Sequence, residues 1–453
     1  MNSANHLMAS TPAQDVVQEG AEENAVFRKV TARLMPFLLV AYILAYLDRI
    51  NVGFAKLYML NDLQFSDAVY GLGAGLFFIG YFFFEVPSNL LMHRIGARLT
   101  ISRIMILWGI ISGGMMFVQT PVQFYVMRFL LGVAEAGFYP GILLYLTYWY
   151  PSTRRAKAVA LFMLAIPLSG VFGGPLSGWL MDSLNGYHGL KGWQWMFIIE
   201  AIPSVIFGIW TLYYLDDRVA DAKWLNDDEK ELLARVLSDE ASTIKPHSRV
   251  SNVFADSRVL KLSAICFCML LGQYALTFWL PSLIKQSGVK TALDVGLLTA
   301  IPFGIAAVSM VVLSRSSDRR GERRIHLAGA LAVGAIGLLF SAMFEGETSI
   351  AIIALAVAAG GILAAAPIFW AIPSAMLKGA SSAAGLAFIC SIGNLAGFIS
   401  PYMIGWIKDA THSTSAALYL LAAMLFVGAV SALRVCHVSK HQDSTSTCYA
   451  SSD

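Results

Sequence analysis

The sequence predicts an all-α polytopic membrane protein, with twelve transmembrane helices in two pseudo-symmetric six-helix bundles. Three observations carry this. Of its 453 residues, 57% are hydrophobic and only 13% charged, and the mean hydropathy is +0.64, too apolar for a water-soluble domain. Apolar runs long enough to cross a bilayer recur twelve times. Two unrelated short motifs also recur at nearly one offset, as a duplicated bundle requires.

The apolar runs lie at about 34–54, 69–91, 101–118, 122–147, 157–182, 195–215, 258–282, 294–314, 325–344, 349–371, 381–406 and 414–435. Arg and Lys gather in alternate connections. Arg94, Arg98 and Arg103 follow span 2, Arg154, Arg155 and Lys157 follow span 4, and Arg315, Arg319, Arg320, Arg323 and Arg324 follow span 8. The intervening connections are poor in positive charge, and the one after span 9 holds only Glu345 and Glu347. The positive-inside rule then puts both termini in the cytoplasm.

Residues 1–33 read as a cytoplasmic tail without the apolar core of a removable signal. A first bundle is expected over 34–215, a cytoplasmic linker over 216–257, a second bundle over 258–436 and a tail over 437–453. In the linker, Asn226 followed by Glu229 reads as a capping box ahead of Leu232, Leu233, Val236 and Leu237, hence a short helix. The formal net charge of +3 decides little. The cysteines Cys266, Cys268, Cys390, Cys436 and Cys448 show no zinc spacing, so no metal site and no disulfide framework is expected. Absence of Asn-x-Ser/Thr triplets fits a bacterial inner membrane.

The repeats fix the plan. His93-Arg94-Ile95-Gly96-x-Arg98 corresponds to Asp318-Arg319-Arg320-Gly321-x-Arg323 at an offset of 225, and Gly178-Trp179-x-x-Asp182 corresponds to Gly405-Trp406-x-x-Asp409 at 227. Two parallel halves of this kind place a substrate site between them near the bilayer midplane. Gly170, Gly174 and Gly178 form a small-residue face in span 5, suited to close helix approach and to a sliding seam.

Ionisable residues inside spans are costly, about 2.5–3.5 kcal/mol each even on insertion scales, and so mark function. In span 4, Arg128, Gly132, Glu135 and Tyr139 share one helical face. Arg128 and Glu135 would stand about 10 Å apart along the axis, far for a tight pair and suitable for two groups lining one path. Glu135 is the candidate proton carrier, with Arg128 managing charge beside it; a structural pair is the alternative. In span 1, Asp48 and Arg49 are neighbours and diverge by about 100°. Arg49 has the reach to enter a central cavity, and its planar guanidinium suits a carboxylate with two parallel hydrogen bonds. Asp48 then faces neighbouring helices, to hold a proton, to balance Arg49 or Arg128, or to serve as a structural acid. Tyr46 and Tyr81 are candidate hydroxyl donors or plain packing. Glu85 is expected to pair with a loop arginine, and Glu200 to be a structural acid.

These features resemble the major facilitator superfamily. Asp318-Arg319-x-Gly321 looks like its cytoplasmic-loop motif, in which acid and base latch neighbouring helices; the gating residues are then Arg94, Gly96, Arg98, Asp318, Arg319 and Gly321. In the first half His93 stands at the acid position and Asn89 where Gly is common. That departure resembles one branch, the anion:cation symporter family. Tyr46-Leu47-Asp48-Arg49-x-Asn51, Arg128-x-x-x-Gly132-x-x-Glu135-x-x-x-x-Pro140-Gly141, Phe369-Trp370-x-x-Pro373-Ser374 and Gly393-Asn394-x-x-Gly397 are similar to its signatures. Residues 45–56 look closest to bacterial permeases for hydroxyphenylacetate, tartrate, phthalate and nicotinate.

The resemblance implies proton-coupled symport of a small organic carboxylate, an aromatic or tartrate-like hydroxy acid, by a monomer embedded in the lipid bilayer. It has no cofactor, no nucleic-acid partner and no enzymatic activity. It also implies that Trp370, Ser374 and Asn394 join Arg49, Tyr46 and Tyr81 at the substrate. Ile166-Pro167 in span 5 tilts the substrate toward an aromatic or compact acid. Gly170-x-x-x-Gly174-Pro175-x-x-Gly178 partly matches a drug:proton exporter motif, so efflux is the rival transporter reading, and a transporter-like nutrient sensor is a second rival.

Overall fold

A computed structural model describes residues 12–243, 256–376 and 380–435 of the chain. The side chains of Ser374, Cys436 and Cys448, part of the linker and the tail after 435 lie outside the described residues. Among the described residues, fifteen α-helices build the fold. They are α1 (Pro12–Leu63), α2 (Asp67–Ile95), α3 (Ala97–Gly114), α4 (Pro121–Glu135), α5 (Phe138–Thr147), α6 (Ser152–Met163), α7 (Ala165–Ser183), α8 (Gly192–Tyr214), α9 (Asp227–Thr243), α10 (Ser257–Gln286), α11 (Ala292–Arg320), α12 (Arg324–Met343), α13 (Thr348–Met376), α14 (Ala380–Thr411) and α15 (Ser415–Val435). Among the described residues, twelve segments are long and apolar enough to cross a membrane. They fall where the apolar runs predict. Eleven reversals between the twelve spans leave the start of α1 and the end of α15 on the same side, that of α9; it is called the linker face below.

Three departures from the sequence expectation have local causes. The first helix begins at Pro12, so the stretch expected as a tail is helical from there. Val26, Phe27 and Val30 are buried, Phe27 stacks on Tyr150 at 6.1 Å between centroids, and Arg154 pairs with Glu23 at 3.0 Å. The fourth span is two helices, broken at Gly137, whose φ of +88° is left-handed. A Cβ at that glycine would strike the Ser88 side chain, and Pro140 offers no N–H to the carbonyl of Ala136. The fifth span breaks at Leu164, where Pro167 leaves the Met163 carbonyl without its helical donor.

The linker helix α9 starts as expected. Glu229 N–H donates to Asn226 Oδ1 at 2.7 Å and Asn226 N–H to Glu229 Oε2 at 2.9 Å. Lys29 of α1 then pairs with Glu229 at 2.7 Å, which ties the linker to the first helix.

The two bundles meet along glycine-lined seams. A Cβ on Gly71 or Gly405 would run into the backbone of Pro401 or Asp67, joining α2 to α14. On the other flank, Gly174 and Gly178 of α7 lie against the backbone of Gly296 and Ala292 of α11. The small-residue face in span 5 is thus a cross-bundle contact, and its bareness lets backbones touch. Polar contacts close the same seams at the face opposite the linker. Asp182 accepts from Leu293 N–H at 2.8 Å, Asp409 from Ala68 N–H at 2.8 Å, and Lys408 pairs with Asp67 at 3.0 Å.

Candidate functional site

Between the bundles, in the half nearer the linker, lies a cavity that, with the solvent space it opens to, encloses about 750 Å³. Its wall combines Tyr46, Arg49, Tyr81, Trp370 and Asn394 of the expected set with residues that sequence reasoning missed: Tyr42, Glu85, Tyr139, Gln273, Tyr274 and Cys390. The rest of the lining is apolar and includes Ile166 and Leu270.

Arg49 is the cavity's cation. It is 7% exposed, its guanidinium donates to the Glu135 carboxylate, and Nε has no hydrogen-bond partner. Three aromatic rings surround it, with centroids 4.8 Å (Tyr46), 5.0 Å (Phe77) and 5.9 Å (Tyr81) from Cζ. Their negative faces offset part of the cost of burying the charge. Glu135 is the last residue of α4, where the free carbonyls of the helix end favour a cation alongside. The break after Glu135 therefore serves the site. It ends the helix at the acid and redirects Tyr139, which the uninterrupted-helix reading set on the Arg128 face, into the cavity wall.

Arg128 departs from expectation. It is 1% exposed and does not line the cavity. Its Nε and Nη2 lack hydrogen-bond partners, and it lies 5.2 Å from the Phe77 centroid and 5.9 Å from that of Phe278. Glu135 took Arg49 as its partner, so no structural Arg128–Glu135 pair forms. Arg128 and Arg49 thus share the Phe77 ring, at 5.2 Å and 5.0 Å from its centroid.

Asp48 faces the neighbouring helices. It balances neither arginine. Divergence from Arg49 on the helix sends it to α3 and α8, where it accepts from Ser204 Oγ at 2.6 Å, Ser112 Oγ at 2.7 Å and Trp108 Nε1 at 3.1 Å. All three donors are neutral, and two are hydroxyls able to turn and accept if the acid holds a proton. Glu200 is buried nearby, accepting from Ser177 at 2.6 Å, with Oε2 unpartnered.

Glu85 does not pair with a loop arginine; it faces the cavity and accepts from Asn394 Nδ2 at 3.4 Å. That contact and the one from Gln273 Nε2 to the Tyr46 hydroxyl, 3.1 Å, join the two bundles across the cavity.

At the linker-face loops, Gly96 has φ +88° and lies against the Asp217 carboxylate. Arg98 donates its backbone N–H to Asp217 at 2.8 Å, with its side chain 4.0 Å away. Asp217 thus brings an acid to the loop where the motif has His93. In the second half Asp318 pairs with Arg323 at 3.3 Å and Gly321 takes φ +60°. Arg94 and Arg319 are exposed. Among the described residues, no group of three His, Cys, Asp or Glu could hold a metal ion.

A family profile described as Major Facilitator Superfamily matches residues 38–401. The chain is 48% identical over 404 residues to a Pseudomonas putida protein provisionally named metabolite transport protein NicT, covering 89% of this chain and 92% of that one. It is 49% identical over 411 residues to an Agrobacterium vitis protein provisionally named tartrate transporter, covering 90% and 94%. A quinolone resistance transporter of Acinetobacter baumannii is 41% identical over 410 residues, covering 90% and 94%. Among solved structures, a bacterial homologue of the human lysosomal transporter Spinster, in an inward-facing and occupied conformation, superposes with a TM-score of 0.71 at 16% identity, covering 90% of this chain and 97% of that one. That likeness shows the fold.

Proposed function

Because the chain belongs to the Major Facilitator Superfamily and so is a membrane transporter of small molecules, we propose that it carries a small organic carboxylate into the cell in symport with protons. One observation carries this reading: among the described residues the one cation on the cavity wall, Arg49, is held by a carboxylate, Glu135, at the meeting of the two bundles. A substrate carboxylate and Glu135 compete for one guanidinium. When Glu135 holds a proton, its claim lapses and the planar fork takes the substrate with two parallel hydrogen bonds. When the proton leaves, Glu135 recovers Arg49 and the anion goes. Asp48, among neutral donors one residue away, is the second acid in this cycle, and Arg128, which has no ion-pair partner among the described residues, supplies positive potential beside Phe77.

In this reading the linker face is cytoplasmic, in a bacterial inner membrane, and the loop residues Arg94, Gly96, Arg98, Asp318, Arg319 and Gly321 guard that side. The state described, with the opposite face sealed and Arg49 recaptured, is the one left after release inside. Tyr46, Tyr81, Trp370, Ser374 and Asn394 complete the substrate pocket, and the protein works as a monomer with residues 34–215 and 258–436 as rocking units.

The test is transport in proteoliposomes. Glu135→Gln should abolish accumulation of an organic acid driven by a pH gradient yet retain counterflow exchange. A variant that still concentrates substrate on the gradient would show Glu135 is not the carrier. The resistance-transporter relative gives efflux a specific claim. It is decided in the same vesicles: an exporter of hydrophobic cations would bind its substrate equally well after Arg49→Met.

A further inference from the structure

Among the described residues, Glu85 is the carboxyl on the cavity wall, and the symport cycle leaves it without a task. Its carboxyl lines the wall in the same half as Arg49. Among the described residues it has no ion-pair partner, and its one hydrogen bond, from Asn394, is long at 3.4 Å. An acceptor held this loosely among aromatic side chains has unused capacity for a donor.

We infer that Glu85 reads the far end of the substrate: the transported acid is an aromatic monocarboxylate bearing a hydrogen-bond donor, a hydroxyl or N–H, at the ring position remote from its carboxylate. This deepens the proposed function and rests on Arg49 as the carboxylate anchor. The lining supports it. Arg49, Tyr81 and Glu85 face the same cavity; the Tyr81 ring lies 5.9 Å from Arg49 Cζ, and Glu85 follows Tyr81 by one helical turn, so Tyr81 is a neighbour common to anchor and reader. A para-substituted benzoate measures about 6 Å from carboxyl carbon to para heteroatom by ordinary bond lengths, and hydrogen bonds of about 2.8 Å at either end bring the span to on the order of 11 Å.

The walls between these ends suit a ring. Tyr42, Tyr46, Tyr81, Tyr139, Tyr274 and Trp370 all face the cavity and offer edges and faces at the separations aromatic pairs prefer. A second carboxylate at the far end would meet Glu85 acid to acid, so the same residue selects against dianions. An unsubstituted ring would bury the carboxyl with Asn394 alone as donor.

The experiment is equilibrium binding to purified, detergent-solubilised protein at one fixed pH, read by tryptophan fluorescence and by thermal shift. The probes are benzoate, 4-hydroxybenzoate and terephthalate, against wild type, Glu85→Gln, Glu85→Leu and Asn394→Ala. Wild type should bind the hydroxy acid about tenfold more tightly than benzoate, the worth of one well-made hydrogen bond, and terephthalate most weakly. Glu85→Leu should erase the hydroxyl preference, Glu85→Gln should relieve the penalty on terephthalate, and Asn394→Ala should weaken the preference while leaving the fold intact. Equal binding of the three acids by wild type overturns the role of Glu85 and leaves the Arg49 reading standing. So does a hydroxyl preference that survives in both Glu85 variants. If no carboxylate binds, both readings fall together.

Discussion

Asp409 holds the first turn of α2 from the other bundle, its Oδ2 accepting the backbone N–H of Ala68 at 2.8 Å and its Oδ1 that of Asp67 at 3.1 Å. Asp182 does the equivalent for α11 through the N–H of Leu293 at 2.8 Å, and also accepts from the Tyr58 hydroxyl at 2.9 Å. Both acids sit where free N–H groups and the helix dipole favour a negative charge. A repeat recognisable at an offset of 227 residues is therefore the pair of bolts closing the two flanks of one face. Replacing Asp409 with Ala should loosen that seal. A cysteine placed at Thr277, buried behind it, should then react several-fold faster with a membrane-impermeant maleimide added from that side, and the Asp182→Ala, Asp409→Ala double variant faster again. Unchanged labelling would mean the glycine seams alone keep the face shut.

Arg49→Lys keeps the charge and removes the fork. A lysine ammonium offers a point charge where the guanidinium offers two parallel donors, and three rings stand within 5.9 Å of its present position, shaped around a flat group. Affinity for an aromatic acid should fall about tenfold or more, the value of one charge-assisted hydrogen bond, while Arg49→Met should abolish binding. Titration of the purified variants checks this. Full affinity in the lysine variant would argue that net charge alone recruits the anion.

The twelve spans were legible because each rests on residue type against an apolar background; the Arg49–Glu135 pairing was not, because helical periodicity set Glu135 on the Arg128 face of its own span. Where side chains point was less so. Gln273 and Tyr274 lie in α10, buried on nearly every side, so no polar stripe singles out a cavity face. Glu85 stands near the basic loop in the sequence, yet its partner Asn394 is 309 positions away. The 100° step separates Asp48 from Arg49 on the helix, but the neutral partners Asp48 meets, Ser112, Trp108 and Ser204, come from two other helices that nothing in the sequence sets beside it. The kink after Glu135 was signalled by Gly137 and Pro140, but a membrane span tolerates both when neighbouring helices satisfy the freed groups.

The tie between the linker helix and the first helix is pH-sensitive. Slight burial pushes the Glu229 carboxyl up, but the hydrogen bond from Lys29, the Asn226 N–H and the lysine charge outweigh it and hold the group below the usual glutamate range. A carboxyl whose folded pKa is depressed contributes stability above its unfolded value, about 4.3, and loses it as the pH falls through the folded one. At neutral pH, Glu229→Gln should therefore speed amide exchange in α9 relative to wild type. Compared at matched pH, that difference should begin to shrink as the pH falls below about 4.3 and vanish once the pH lies beneath the depressed folded value. A difference that persists in acid would place the effect in the capping geometry and not in the charge.

Removing one acid at the sealed face should cost more than removing one base. Asp67 pairs with Lys56 at 2.7 Å and with Lys408 at 3.0 Å, and Lys56, 5% exposed, lies 3.2 Å from the centroid of the Trp279 ring. In Lys56→Met, Asp67 keeps Lys408 and the new apolar side chain inherits the ring contact, so no buried charge is stranded. In Asp67→Asn, two cations lose their common counter-ion. Lys56 cannot reach water without opening the contact between α1 and α10. Breaking a buried pair from one side costs about 3–5 kcal/mol, mostly through the charge left behind, and Asp67→Asn should approach that range while Lys56→Met stays well below it. Thermal unfolding in detergent should therefore rank wild type, then Lys56→Met, then Asp67→Asn, with the last partly rescued by adding Lys56→Met. If the double variant is no more stable than Asp67→Asn alone, the stranded lysine is not the source of the loss, and the carboxylate acts through the backbone of the α2 helix start instead.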